Sequence, residues 1–170
     1  MSFRVFFSFV FLTTSVSPSF AFWDVQNSGE DVFGNVNVTV SSIGDNSSLL
    51  RFECGSTDRP FFAFLILDSS GSIPEVPAKF IHQDEDGDRQ EANAILRPWN
   101  DKFVAVQVYD PDMIERVANH MVNARRSISV GVSVPGTDFR KADTFSSRGS
   151  TAAGKVVLEH CYSAEEKQIN

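Results

Sequence analysis

The chain is poor in cysteine, histidine and positive charge: its 170 residues hold two Cys, three His and 15 Lys plus Arg against 22 Asp plus Glu, for a formal net charge of −7. Scarcity of cations excludes the basic footprint that nucleic acid or an anionic lipid surface demands. Two cysteines, Cys54 and Cys161, are too few for a zinc centre without further ligands at short spacing. Long apolar runs are missing too. The most extended one, Val5 to about Val16, falls short of the roughly 20 residues that a membrane-spanning helix needs.

That run has another use. Arg4 precedes it, and a polar segment after it ends in Ser19, Phe20 and Ala21, with small residues at the two positions a signal peptidase reads. The expected organisation is a signal peptide over 1–21 and a single exported β-rich domain over 22–170, beginning at Phe22; an uncleaved anchor is the alternative. Cleavage leaves 149 residues with a charge of −8, because residues 1–21 carry one Arg and no acid. This is one domain's worth of chain, expected in the periplasm or secreted, with no stable membrane insertion after cleavage. In an oxidising compartment Cys54 and Cys161 are most simply a disulfide. Closing a loop of roughly 100 residues restricts the unfolded ensemble by about 4 to 5 kcal/mol in the chain-entropy model. The rival reading is a nucleophilic thiol.

Hydropathy alternates with period two at Val36, Val38 and Val40, and again over 127–134. Strands are also expected at 49–54, 76–82, 92–96, 102–109 and, briefly, 144–147. The stretch PFFAFLILD, residues 60–68, is apolar on both faces and reads as a central strand covered on each side. Asp110 then offers an N-cap, Pro111 suits the first helical position, and Ile114, Val117, Ala118, Met121 and Val122 recur at helical spacing up to Arg125 and Arg126. Ser150 is placed as the cap of a second helix reaching Cys161, followed by a polar tail over 164–170. The expected class is α+β, mostly β: an antiparallel sheet or sandwich packed by one central amphipathic helix and a C-terminal helix.

Chemistry-bearing clusters are sparse. Asp84, Asp86 and Asp88 have the alternate spacing of a calcium loop, but Arg89 and Ile95 stand where an EF-hand needs Gly and Glu, so a solvated hairpin tip is expected. His82, His120 and His160 share no metal-ligand spacing. Gly149, Ser150 and Thr151 precede a helix without the Lys-Ser/Thr loop of a phosphate cradle. Arg125, Arg126, Arg140, Lys141 and Arg148 form either a modest basic patch or a solvated face. No catalytic residue, cofactor site or metal site is nominated.

The order of segments nonetheless resembles a known family. Trp23 in a short strand, a DVF segment at 31–33, a strand ending in a single Cys, AKFIHQDEDGD, a PDMIERVANH helix and TFSSRGSTAAGKVVLEHC follow one another. That succession is similar to the exported VasI-like proteins associated with type VI secretion, whose closing strand, glycine and short helix would fall at Phe145, Gly149, Ala152, Ala153 and Cys161. An overlapping resemblance is to the invasion-associated locus B proteins. Neither implies an active site. The expected function is therefore a noncatalytic, exported interaction or accessory module of the bacterial envelope, secretion- or host-associated, whose partner is another envelope or secreted protein. The alternative is a small-ligand-binding protein or enzyme with a pocket between sheet and helix.

Overall fold

The computed structural model describes residues 23–30, 36–55, 59–68 and 73–162. The expected signal peptide over 1–21, its cleavage point at Phe22, the DVF segment and the polar tail all lie outside the described residues. Among the described residues, nine strands form one antiparallel sheet: β1 Asp24–Glu30, β2 Val36–Ile43, β3 Leu49–Gly55, β4 Phe61–Leu67, β5 Val76–Gln83, β6 Arg89–Pro98, β7 Phe103–Val108, β8 Ser127–Ser133 and β9 Arg140–Ser146. Their spatial order is β1-β2-β3-β4-β7-β6-β5-β8-β9. The fold is thus mostly antiparallel β with two helices, and the sheet arrangement is realised rather than the sandwich.

Period two decides which way each strand faces. Val38 and Val40, Leu50 and Phe52, Phe62 and Phe64 all point to one buried face, where they meet Phe80, Val106, Ile128 and Phe145. The central strand β4 is buried on its other face as well, through Ala63 and Leu65, which pack with Ala105 beneath Leu49, Phe61, Trp99 and Phe103. That second cluster is why β4 and β7 carry apolar residues without alternation.

Helix α1, Pro111–Asn123, leads from β7 to β8. Its start is fixed as expected, by an Asp110 carboxylate that accepts the N–H groups of Asp112 and Met113 and by Pro111 in the first turn. Met113, Ile114, Val117, Ala118 and Met121 form its buried stripe. Helix α2, Ser150–Val157, continues through a π-helical turn at Leu158–Tyr162 that carries Cys161. Among the described residues, no helix is long and apolar enough to cross a membrane.

The start of α2 departs from expectation. Gly149, at φ 84°, holds the cap position in a left-handed conformation that costs other residues energy, and makes no side-chain cap bond. Ser150 is instead the first helical residue. Its buried hydroxyl donates to the carbonyls of Met121, at 2.6 Å, and Ser147, while Thr151 Oγ1 donates to Val122 O. The two hydroxyls therefore satisfy last-turn carbonyls of α1 that its own backbone leaves open. The helices also approach closely at Gly154, where an added Cβ would stand 2.7 Å from Ala118 O and 2.9 Å from Met121 Cβ. Because the first of these is backbone, Gly154→Ala is expected to lower stability by about 1–3 kcal/mol despite the better helix propensity of alanine. Chemical denaturation of the two proteins measures it.

The sheet curls until its two ends meet. Asp45, in the β2–β3 turn, donates its N–H to Thr144 O of β9 at 3.0 Å. Trp23, just ahead of β1, donates Nε1–H to Ser146 O at 2.8 Å and packs its ring against Phe145. These contacts form a seam between the opening and closing strands.

Candidate functional site

The seam is built around a carboxylate. Asp143 is 3% exposed, and it accepts the N–H groups of Asn46 at 2.9 Å, Ser48 at 3.2 Å and Thr144 at 2.7 Å, together with the Ser48 hydroxyl. Burial by itself would raise the Asp143 carboxyl, but the Ser48 hydroxyl and the three backbone donors outweigh it and hold the group below its ordinary value. Gly44 makes room for this, since a Cβ there would lie 2.5 Å from Asp143 Cγ. The arrangement is a mechanical joint: charge-assisted hydrogen bonds tie a turn to a strand about a hundred residues away.

The interior holds a second polar device. His82 on β5 faces inward at 3% exposure, and its Nε2 lies 2.7 Å from Nδ1 of His120 on the last turn of α1. Folding thus joins two of the three histidines that show no ligand spacing in the sequence; His160 sits on the π-helical turn. Among the described residues, no three metal-binding side chains converge. Burial, then the neighbouring His120, depress the His82 pKa to about 4, against a weaker upward pull from Asp84. Burial likewise lowers His120, opposed by Glu85 and Asp84, and its buried Nε2 has no hydrogen-bond partner. Both rings are neutral at pH 7.

A pH dependence follows. In the unfolded chain each ring takes up a proton near pH 6.5, whereas in the fold it resists doing so. The unfolded state therefore binds more protons below that value, and stability present above pH 6.5 is lost as the pH falls towards 4. Urea unfolding is expected to show a decline of up to about 3 kcal/mol across this window. The double variant His82→Leu/His120→Leu should flatten the profile between pH 6.5 and 4.5.

The acidic hairpin is the tip that the sequence implies. Asp84 Oδ1 accepts the N–H groups of Asp86 and Asp88 at 3.1 and 2.8 Å, so its carboxylate serves the turn itself. Glu85 reaches across to the turn after α1. Its Oε1 accepts from the backbone of Arg126, Arg125 and Ser127, which lowers the Glu85 pKa against a desolvation effect of opposite sign. The basic residues do not form one patch. Arg125, Arg126 and Arg148 lie near the Ser127↔Ser146 end of the β8–β9 hairpin, whereas Arg140 and Lys141 lie at the Ser133↔Arg140 end. At about 3.4 Å per residue those ends are roughly 20 Å apart.

Cys54 on β3 and Cys161 are paired, with their Cα atoms 4.7 Å apart. The bond fastens the end of the helical layer to the sheet. Phe52, Phe62, Phe64, Phe80 and Phe145, all at most 1% exposed, belong to the core cluster that the sheet shares with both helices. A concavity of about 820 Å³ runs along β5, β8 and β9, lined by Ile81, Gly131, Ala142, Arg89, Arg140 and Lys141 among others. Strand register explains its shape. Ile81, Gly131 and Ala142 are aligned across three strands, flanked on one side by Gln83, Ser129 and Thr144 and on the other by Lys79, Ser133 and Arg140. The middle row is short, so its neighbours make the walls of a trough that opens at the edge strand β9.

No family model, curated protein or solved structure matches the chain.

Proposed function

We propose that the chain is an exported, noncatalytic interaction module of the bacterial envelope, acting by protein contact in the periplasm or outside the cell, in the manner of the VasI-like accessory proteins it resembles. The observation that carries this reading is the exposed edge of the sheet at Arg140, Lys141 and Ala142, where β9 borders the trough. A strand edge presents backbone donors and acceptors ready for another chain. Two further features support it. The carboxylates of Asp143 and Glu85 and the two facing imidazoles are engaged in joining elements of the scaffold, and that of Asp84 holds its own turn. The paired cysteines suit an oxidising compartment.

Photocrosslinking tests the proposal. The full chain is produced in an exporting bacterium with a benzophenone side chain placed in turn at Lys141, Leu67 and Arg116, which are exposed on three different elements. A discrete adduct at one of these positions, in the periplasmic or culture fraction and on protein beginning at Phe22, is expected. Absence of adducts at all three, or retention of unprocessed protein in the cytoplasm, overturns the reading.

A further inference from the structure

We propose that β9 is a docking strand for an extended acidic segment of a partner protein, which adds to the sheet alongside Arg140 to Ala142 and lays alternate side chains into the trough. This rests on the interaction-module reading and names the partner's chemistry. Three observations carry it.

The first is a ladder that this chain fills only in part. Asp143 and Phe145 point their side chains inward, and Thr144 and Ser146 turn their carbonyls away from β8, as the bonds from Asp45 and Trp23 show. Backbone groups alternate along a strand, so Ala142 and Arg140 present their N–H and C=O groups on that same open side. The seam supplies partners at 144 and 146. At 140 and 142 the residues are exposed, and among the described residues nothing bonds that side of the backbone. An added strand there continues a pairing that the molecule has begun.

The second is the floor. Gly131 has no side chain and Ala142 only a methyl, so with Ile81 they leave a shallow apolar recess next to the free edge. Every second side chain of an added strand points to this face, and a small aliphatic residue suits the recess.

The third is charge. On a chain of net charge −7, Arg140 lines the open end of the trough, Lys141 stands beside it on the same edge with its side chain on the other face, and Lys79, whose ammonium donates to Asn93 Oδ1 at 2.6 Å, lies two strands away in the same row. Glu91, the carboxylate on the same face, is held by Arg89 at 2.8 Å. The acidic tip of Asp84 to Asp88 lies at the opposite end of β5, beyond Gln83. Partner carboxylates therefore belong at the Arg140 end, where they meet cations, and would be repelled at the other. Lone charged patches are often solvated; this one borders unpaired backbone, which gives a partner both affinity and register.

The test uses the folded, oxidised protein at physiological salt and a capped, fluorescent peptide of alternating glutamate and valine, followed by anisotropy. Saturable binding is expected. The lysine–valine counterpart and the glutamate–valine peptide N-methylated at every amide should not bind. Ala142→Pro removes an N–H that faces the open side while leaving the β8–β9 ladder intact, and proline is tolerated at such edge positions. It should weaken binding by about tenfold or more, the loss of one backbone hydrogen bond with its neighbour displaced. Arg140→Glu/Lys141→Glu should weaken it similarly and serves if the proline variant fails to fold. Equal binding of the N-methylated or lysine peptide, or indifference to both variants, overturns the proposal. So does a self-associated protein that Ala142→Pro converts to monomer, since the strand's occupant would then be a second copy. Loss of peptide binding with an adduct retained at Leu67 or Arg116 sinks this inference alone and leaves the interaction reading standing.

Discussion

Replacing both Cys54 and Cys161 by alanine lowers the stability of the protein by about 2–5 kcal/mol, the range for losing a native disulfide from a small secreted domain. The chain-entropy model places the expectation at the upper end, because the bond spans 107 residues and the closing loop is correspondingly long. Geometry points the same way. Cys54 ends the buried face of β3, and Cys161 ends the helical layer, so the bond holds α2 and its π-helical turn against the sheet. For a domain of this length the corresponding fall in melting temperature is about 2–4 °C per kcal/mol. Calorimetry of the double variant and of the reduced wild type should agree. A fall below about 1 kcal/mol would mean that the helical layer stays docked without the bond, and that its burial suffices. Alkylation should find no reactive thiol in the native protein, which a nucleophilic role for either sulfur would require.

Asp143→Ala is expected to cost about 2–4 kcal/mol, since it strands several buried donors at once. The Asn46, Ser48 and Thr144 N–H groups and the Ser48 hydroxyl all lose their acceptor. Asp143→Asn keeps the volume but turns one acceptor into a donor, so it should recover only part of the loss. The pH dependence has a definite sign. The Asp143 carboxyl is held below its ordinary value in the fold, so its contribution is present above that value and disappears as the pH falls through the lower folded value. Acid unfolding of wild type and Asp143→Asn, compared below about pH 4, separates this contribution from that of the histidine pair, which is spent at higher pH.

These two joints were not equally legible. Cys54 and Cys161 stand out because cysteine is scarce and the leader expected from the sequence would imply an oxidising compartment. A buried aspartate has no such signal, since Asp143 closes a polar run, RKAD, that lies ahead of the expected strand. For the same reason β9 is foreseen only from Thr144, whereas it begins at Arg140: its first residues are exposed on both faces and show no alternation. Strand β1, DVQNSGE, shows no alternation either, and the short strand expected there is carried by the family resemblance at Trp23, one residue ahead of it. Where one face is buried, as in β3, β5 and β8, the strand is located to within a residue or two, while β2 runs three residues past the alternation that ends at Val40. Helix α1 is legible from Asp110 and Pro111, while the role of Ser150 is misjudged because its acceptor, Met121 O, belongs to another helix. The His82–His120 pair escapes notice because β5 and α1 meet only in three dimensions.

The seam also governs how the molecule must assemble. Local hairpins such as β2–β3, β5–β6 and β8–β9 close short loops and form early, on the microsecond scale of isolated hairpins. Joining Asn46 to Asp143 means closing a chain of 97 residues, an entropic penalty that no local contact repays. Seam formation therefore belongs to the slow part of folding, in the millisecond-to-second class of sheets dominated by non-local pairing. Until then the whole of β9 is an open edge, including Thr144 and Ser146, which the finished fold covers. The window for unwanted strand pairing is thus set by a single late contact, and Trp23, whose indole bonds Ser146 at that contact, is a built-in fluorescent marker of when it shuts.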